Sequence, residues 1–144
     1  MNLMAFLQRG VGQTEAQRRQ AELDAAAEAT RTHWLRSLEH DRLRAWMNVG
    51  EDDSGLIQGM ATMLTIAGMV HVHAEGRTDT PTLRIFRGAI SAATQCAESG
   101  CVVTADYARA WSAAVDRAIE VVKAAKPASI IHASVEIRKT VGLT

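Results

Sequence analysis

Apolar side chains occupy every side of the helix that residues 56–72 would form, in the run LIQGMATMLTIAGMVHV. No charged residue occurs between Asp53 and Glu75. A helix that lacks a polar side has to be surrounded by other parts of its own chain. The pattern therefore predicts a buried central helix, with the flanking segments forming the wall of a small bundle.

A long first helix is predicted ahead of this segment. Thr14 and Gln17 fit a capping box, and no helix breaker follows until Gly50. The interval suits a helix of about 35 residues, or about 50 Å. Residues 15–30 are rich in alanine and mixed charge, so we expect them to project. The second half should pack on the domain through an apolar face that contains Trp34, Leu35, Leu38, Ala45, Trp46 and Val49.

Two further helices follow the central one. Ser54 is a candidate cap for the central helix, which should stop at Gly76. Thr80 followed by Pro81 marks the start of a third helix. Thr104 is a candidate cap for a fourth, which Pro127 closes. The stripes that recur at steps of three and four are Leu83, Phe86, Ile90, Ala93 and Ala97 in the third helix, and Ala108, Trp111, Val115, Ala118, Val122 and Ala125 in the fourth.

The C-terminal segment fits two patterns. Apolar and polar residues alternate over residues 131–138, which favours a strand. Ile130, Ala133, Ile137 and Val141 also form a helical stripe. A lone strand needs another strand to bind its backbone N–H and C=O groups. We therefore favour a short helix.

These patterns together predict an all-α fold: a small bundle of four main helices with a long N-terminal helix, a buried central helix and a tail that is a short helix or a lone strand. Residues 1–13 are expected to form an N-terminal apolar arm, and residues 14–144 a single helical domain. The 17 residues of the central run are short for a membrane span, which needs about 20.

Charge and cysteine content narrow the function classes. The chain has 16 basic and 16 acidic residues. This balance counts against nucleic acid as a partner, because phosphate contacts favour a basic excess. Cys96 and Cys101 are expected to be reduced thiols. No secretory signal is recognisable at the N-terminus, so the expected location is the cytoplasm, without membrane attachment.

No catalytic, cofactor-binding or metal-binding signature is present. His71 and His73 resemble a ligand pair, but residues two apart on a helix point to nearly opposite sides. We therefore predict no catalytic residue, no cofactor and no metal. A ligand-binding or metal-binding bundle near these two histidines is kept as an alternative.

Residues 94–111, TQCAESGCVVTADYARAW, could form a helix, a glycine turn and a second helix, as in a helix-turn-helix. Asp106 falls where an apolar residue should contact the first helix. The second helix offers only Arg109 and Arg117 as long basic side chains. A DNA-binding regulator that uses this segment is the second hypothesis.

The favoured hypothesis is a non-enzymatic regulatory or inhibitory protein that binds another protein, as a homodimer. Apolar residues near the N-terminus and the weakly apolar half of the first helix have too little local surface to be held by their own domain. Arginines around the start of the third helix could meet an acidic partner. The predicted contact residues are Leu3, Phe6, Leu7, Arg18, Arg19, Leu23, Arg77, Arg84 and Arg87.

Overall fold

The structure is a computed structural model that describes residues 14–140. Five α-helices fill most of this range, and none of its residues belongs to a β-strand. The prediction of an all-α fold is confirmed. In chain order the helices are α1 (Glu15–Met47), α2 (Ser54–Glu75), α3 (Pro81–Glu98), α4 (Ala105–Ala124) and α5 (Pro127–Thr140).

Helix α1 begins with the predicted capping box. The Thr14 hydroxyl accepts from the Gln17 amide, and the Gln17 side chain accepts from the Thr14 amide. The helix has 33 residues, and the first buried one is Ala27. Residues 15–26 are exposed except for partly buried Asp24. The beginning of α1 is therefore long, helical and largely without cover from the rest of the described chain.

Helix α2 is the centre of the bundle, because it contacts each of the other four helices. Leu64 is fully buried and Met63 and Ile66 are nearly so, in agreement with the predicted buried central helix, whereas Met69 is only partly buried. Gly68 faces α3, where an added Cβ would stand 3.6 Å from Cδ2 of Leu83. The apolar run thus forms a core helix with neighbours on all sides.

The ends of α2 are set by polar and glycine chemistry. At the start, the prediction of Ser54 as the cap is wrong by one residue. The cap is Asp53, whose carboxylate accepts a hydrogen bond from the Leu56 amide. At the end, Gly76 takes a left-handed conformation with φ of 68° and donates its N–H to the Val72 carbonyl. Glycine suits this position because it has no Cβ to clash there.

Helices α3 and α4 begin at the predicted caps Thr80 and Thr104. Trp111 of α4 is fully buried, and its indole N–H donates to the Ala89 carbonyl of α3 at 3.2 Å. Helix α4 also lies antiparallel along α1: Ser112 binds Trp46, and further along α4 the Val122 carbonyl accepts from Arg31. The buried Trp111 and these polar contacts hold α4 between α1 and α3.

Two loops at one end of the bundle bind each other, which the sequence did not predict. Gly50 donates its N–H to Val103, Val103 donates to Glu51, and Asp53 donates to Cys101, at 2.8–3.0 Å. The turn before Val102 brings Cys101 to a positive φ of 65°. These bonds tie the α1–α2 connection to the α3–α4 connection and so hold the ends of four helices together.

The C-terminal segment that fitted both patterns is helical in the structure, as α5. Ile130 and Ala133 are fully buried and Ile137 is partly buried, so the stripe with steps of three and four describes the face that meets the bundle. This face packs on α1 and α2. Val141 of the same stripe lies outside the described residues.

Of the described helices, α2 is long and apolar enough to cross a membrane by length and composition. Half of its most apolar 18-residue stretch is buried inside the bundle. A core helix of a water-soluble protein has these same properties, and the contacts of α2 with all four neighbouring helices agree with that role.

Candidate functional site

The side of α1 that faces away from the core carries large apolar side chains near its C-terminal end. Leu43 is 60% exposed, Trp46 44% and Met47 73%. The indole N–H of Trp46 donates to Oγ of Ser112 on α4 at 2.8 Å, which fixes the orientation of the ring. The prediction that Trp46 and Val49 pack on the domain is wrong. The buried positions of this half of α1 are taken by Trp34, Leu38 and Ala45 instead.

These side chains end a longer stripe, which we call the outer seam. Its members recur at alternating steps of three and four residues, so they share one face of α1. All six are exposed. Two shallow hollows, of about 390 and 590 Å³, open along the seam and meet at Glu39. The outer seam consists of Ala29, Thr32, Arg36, Glu39, Leu43 and Trp46.

Three of the predicted contact residues lie on the exposed beginning of α1. Arg18 and Arg19 are exposed, and Arg19 forms an ion pair with Glu15 at 3.2 Å. Leu23 is 47% exposed. The other apolar residues predicted here, Leu3, Phe6 and Leu7, lie outside the described residues. The described part therefore offers charge and one leucine, without a continuous apolar surface of its own.

A groove of about 690 Å³, lined mostly by residues of polar type, runs between α1 and α2 and contains Asp41. The Asp41 side chain is only 14% exposed. Its carboxylate faces Gly59, where an added Cβ would stand 3.5 Å from Oδ2. Nδ1 of His40 lies 3.8 Å from Oδ1. Burial raises the pKa of Asp41 above its ordinary value, although the charges of His40 and Arg44 oppose this change.

The pKa of Asp53 is shifted in the opposite direction, although Asp53 also lies near Arg44. Arg44 donates to it through Nε at 2.7 Å and Nη2 at 2.6 Å, and Asn48 donates at 2.7 Å. Burial alone would raise the pKa of Asp53, but these hydrogen bonds, the Leu56 amide and the Arg44 charge outweigh it, so the pKa is lowered. Asp53 thus links the end of α1 to the start of α2 through an ion pair and hydrogen bonds.

The groove has limited chemistry to offer. A partly buried carboxylate at Asp41 can accept hydrogen bonds or hold a cation, and His33 and His40 border the same space. Over residues 14–140, no three His, Cys, Asp or Glu side chains come together in a way that could hold a metal ion. The arrangement resembles a polar recess on the surface more closely than an assembled reaction centre.

The three predicted arginines around α3 come together at the α2–α3 loop. Arg77 pairs with Asp79 at 3.3 Å, Arg84 donates to the Asp79 carbonyl at 3.3 Å and Arg87 donates to the Thr78 carbonyl at 2.9 Å. All three are exposed. Each guanidinium has five N–H donors, so the arginines brace this loop and keep donors for a partner.

His71 and His73 point to different neighbours. Nε2 of His71 lies 2.7 Å from the Thr80 hydroxyl. Nδ1 of His73 lies 2.8 Å from the Ser129 hydroxyl, and its ring stacks on His132 at 4.4 Å between centroids. The two rings therefore serve contacts with the α2–α3 loop and with α5, and they do not converge on a common point.

The helix-turn-helix candidate, residues 94–111, is formed by the end of α3, the paired loop and the beginning of α4. Both arginines of its second helix lie beside carboxylates: Arg109 pairs with Asp106 at 3.0 Å and Arg117 with Glu120 at 3.4 Å. The exposed face of α4 is therefore balanced in charge, where a DNA-binding face would be basic.

Cys96 and Cys101 are both free thiols. The Cys96 thiol is buried and donates to the Val102 carbonyl at 3.2 Å. Burial raises the pKa of Cys96, and the nearby Cys101 adds to this effect. A buried thiol with a raised pKa reacts slowly, so Cys96 serves the loop structure through its bond to Val102.

Sequence reasoning missed the outer seam and Asp41. On a helical projection, Leu43 and Trp46 fall outside the stripe of Leu38 and Ala45, but the projection does not show which of the two sides is buried. The burial of Asp41 depends on α2 lying across it and on Gly59 opposite, and no local pattern in α1 indicates either. Comparisons of the chain with protein-family models, with curated proteins and with solved structures gave no match.

Proposed function

We propose that this is a non-enzymatic regulatory or inhibitory protein that acts in the cytoplasm by binding another protein chain, as a homodimer. The observation that supports this proposal is the outer seam of α1. Its apolar end, Leu43 and Trp46 with Met47 beside it, places three large exposed apolar side chains next to one another. Exposed apolar clusters of this kind mark surfaces that meet another molecule.

The side chains at this end suit a protein partner. Tryptophan is enriched among the residues that contribute most of the binding energy at the desolvated centre of protein interfaces, and methionine is enriched in interfaces generally. Charged residues, among them Arg36, Glu39 and Arg42, lie along the seam next to them and can pair with opposite charges of a partner. The exposed residues Arg18, Arg19, Leu23, Arg77, Arg84 and Arg87 are proposed as further contacts.

The non-enzymatic part of the proposal is supported by the polar groups of the bundle. Asp53, His71 and His73, which could otherwise serve in a reaction, are engaged by structural partners on neighbouring segments. Free thiols at Cys96 and Cys101 suit a reducing compartment such as the cytoplasm.

The association can be tested by replacing Leu43 and Met47 with lysine. Both side chains are exposed, so the fold should survive, but a partner would have to bury two charges. The matched control is Val135→Lys, which changes an exposed apolar residue of α5. We expect light scattering to show a dimer at micromolar concentration for the parent and the control, and a monomer for the double variant.

The same variants separate a second copy from a foreign partner. If the parent is monomeric, cross-linking in source cells should recover one partner with the parent and with Val135→Lys, and lose it with the Leu43→Lys, Met47→Lys variant. Association that is unaffected by the double change would contradict the proposal.

Two other functions stay hypotheses with their own measurements. DNA binding through residues 94–111 would show an affinity that falls steeply with salt, whereas apolar association would change little. Binding of a metal at His71 and His73 would appear as stoichiometric metal in purified protein. No contact in the structure favours either over the outer seam.

A further inference from the structure

We propose that the partner of the outer seam is a second copy of this chain, bound so that the two α1 helices run antiparallel, in a register set by Arg36 and Glu39. This inference rests on the proposed function and names the partner and geometry of the same surface. The arrangement has two-fold symmetry, so the same residues contribute from both copies.

The charges of the seam select the direction. In a parallel pair, Arg36 would face Arg36 of the other copy and Glu39 would face Glu39. In an antiparallel pair centred between these two residues, each arginine faces a glutamate, twice per dimer. Arg36 forms no ion pair with any described residue, and Glu39 reaches Arg42 only at 4.0 Å. A polar pair within an apolar seam is a known means of fixing helix direction and register.

The apolar residues complement each other about the same centre. Leu43 of one copy then faces Thr32 of the other, and Trp46 faces Ala29. Each large side chain thus meets a small one, so the two helices can approach closely along the whole seam. In the shared register, the 590 Å³ hollow at Leu43 and Trp46 receives the small-residue end of the partner seam.

The exposed beginning of α1 gains cover in this arrangement. Beyond Ala29, residues 15–26 of one copy extend past Trp46 of the other and over its paired loops. Those loops carry two exposed valines, Val49 and Val102. The two helices would overlap over about 30 Å, and a stable interface of about 1,200–2,000 Å² needs such additional cover from the helix beginnings.

Charge exchange tests the register directly. In Arg36→Glu, two glutamates face each other at both symmetric contacts, and in Glu39→Arg, two arginines do. Each variant alone should dimerise at least about tenfold more weakly than the parent at low salt. The double variant, and an equal mixture of the two single variants, should regain the parent affinity within about threefold, because every facing pair is again opposite in charge.

A second variant tests the same register without charge exchange. Ala29→Glu should weaken the dimer at least about tenfold, because its carboxylate would be placed against the indole of Trp46 in the other copy. The control is Ala110→Glu, at an exposed alanine of α4, which should leave the dimer unchanged. Far-UV circular dichroism would establish that all variants keep the helical fold.

The outcomes distinguish this inference from the proposed function. Single charge variants that dimerise like the parent would overturn the antiparallel register, while dissociation by Leu43→Lys, Met47→Lys would still support binding through α1. A parent that stays monomeric at about 100 μM, far above the dissociation constants of specific pairs, would overturn self-pairing. The cross-linking experiment with a foreign partner would then decide the proposed function separately.

Discussion

Helices α1 and α2 carry similar apolar side chains in different surroundings. α2 contacts all four other helices, and Leu64 in its middle is fully buried. α1 contacts α2, α4 and α5, and these neighbours leave the outer seam uncovered, so Leu43 is largely exposed. The same residue type is therefore part of the core in one helix and part of a surface in the other.

The difference shows what each helix contributes. Apolar area buried in the folded chain stabilises the fold, by about 25 cal/mol per Å², whereas exposed apolar area can contribute only after a partner covers it. A mutation in α2 should therefore change the free energy of unfolding, and an equivalent mutation in the outer seam should change association.

The largest difference in the free energy of unfolding is expected between alanine substitutions at Leu64 and at Leu43. Leu64→Ala should lower the free energy of unfolding by about 2–5 kcal/mol through lost burial and a cavity. Leu43→Ala in the monomeric state should change it by less than about 0.5 kcal/mol, as expected of an exposed site. Urea unfolding of both variants, at protein concentrations low enough for the chain to be monomeric, measures the difference. Equal losses at both sites would show that Leu43 is covered by its own chain.

The helix ends were the most predictable part of this fold from sequence. Thr14, Thr80 and Thr104 each cap a helix as expected, because capping depends on side chains within three residues of the backbone they bind. Gly76 and Pro127 likewise act locally. The all-α class followed from the same local signals together with the apolar run of α2.

Features that depend on contacts between distant segments were less predictable. The side of α1 that carries Trp46 could not be ranked against the side of Trp34 before the position of α4 was known. The bonds between the loops at Gly50 and Val103 link residues far apart in sequence, and neither loop shows a strand pattern. The burial of Asp41 was missed for the same reason, since it depends on α2.

The contact between α2 and α3 offers the next test. Gly68→Leu should destabilise the fold by about 1–3 kcal/mol, because the larger side chain has to displace Leu83 and Phe86. Gly68→Ala is the matched control: its Cβ would make an ordinary contact at 3.6 Å, and removing a glycine from a helix adds up to about 1 kcal/mol. Thermal unfolding of the two variants should shift in opposite directions, and a stable Gly68→Leu would show open space beside α2.

Substitution of Asp53, which links α1 to α2, should change the stability by a smaller amount. Asp53→Ala removes the cap of α2 and should cost about 0.5–2 kcal/mol. The control is Ser54→Ala, at the neighbouring residue whose hydroxyl was the expected cap and which is exposed. It should change stability by less than about 0.5 kcal/mol. A larger loss at Ser54 than at Asp53 in urea unfolding would reverse the assignment of the cap.

The smallest effect is expected at Asp41, on the side of α1 that faces α2. Its raised pKa means that the folded protein holds the Asp41 proton more tightly than the unfolded chain, in which aspartate titrates near pH 3.9, an approximate reference value. The stability linked to Asp41 is therefore fully present below that pH and is lost as the pH rises through the folded-state pKa. For Asp53, whose pKa is lowered, the linked stability is present above about pH 3.9 and is lost as the pH falls through the folded-state pKa.

Asparagine substitutions at the two positions should therefore act in opposite directions at pH 7. Asp41→Asn removes a poorly solvated charge and should raise the melting temperature slightly, with the gain disappearing by about pH 3, where the parent side chain is protonated. Asp53→Asn should lower the melting temperature at pH 7, because the ion pair with Arg44 is lost, and this loss should also shrink in acid. Calorimetry of both variants at pH 3, 5 and 7 measures the two trends. A loss of stability in Asp41→Asn at pH 7 would mean that the charges of His40 and Arg44 outweigh the burial of this carboxylate, and that the side of α1 facing α2 is held by both aspartates.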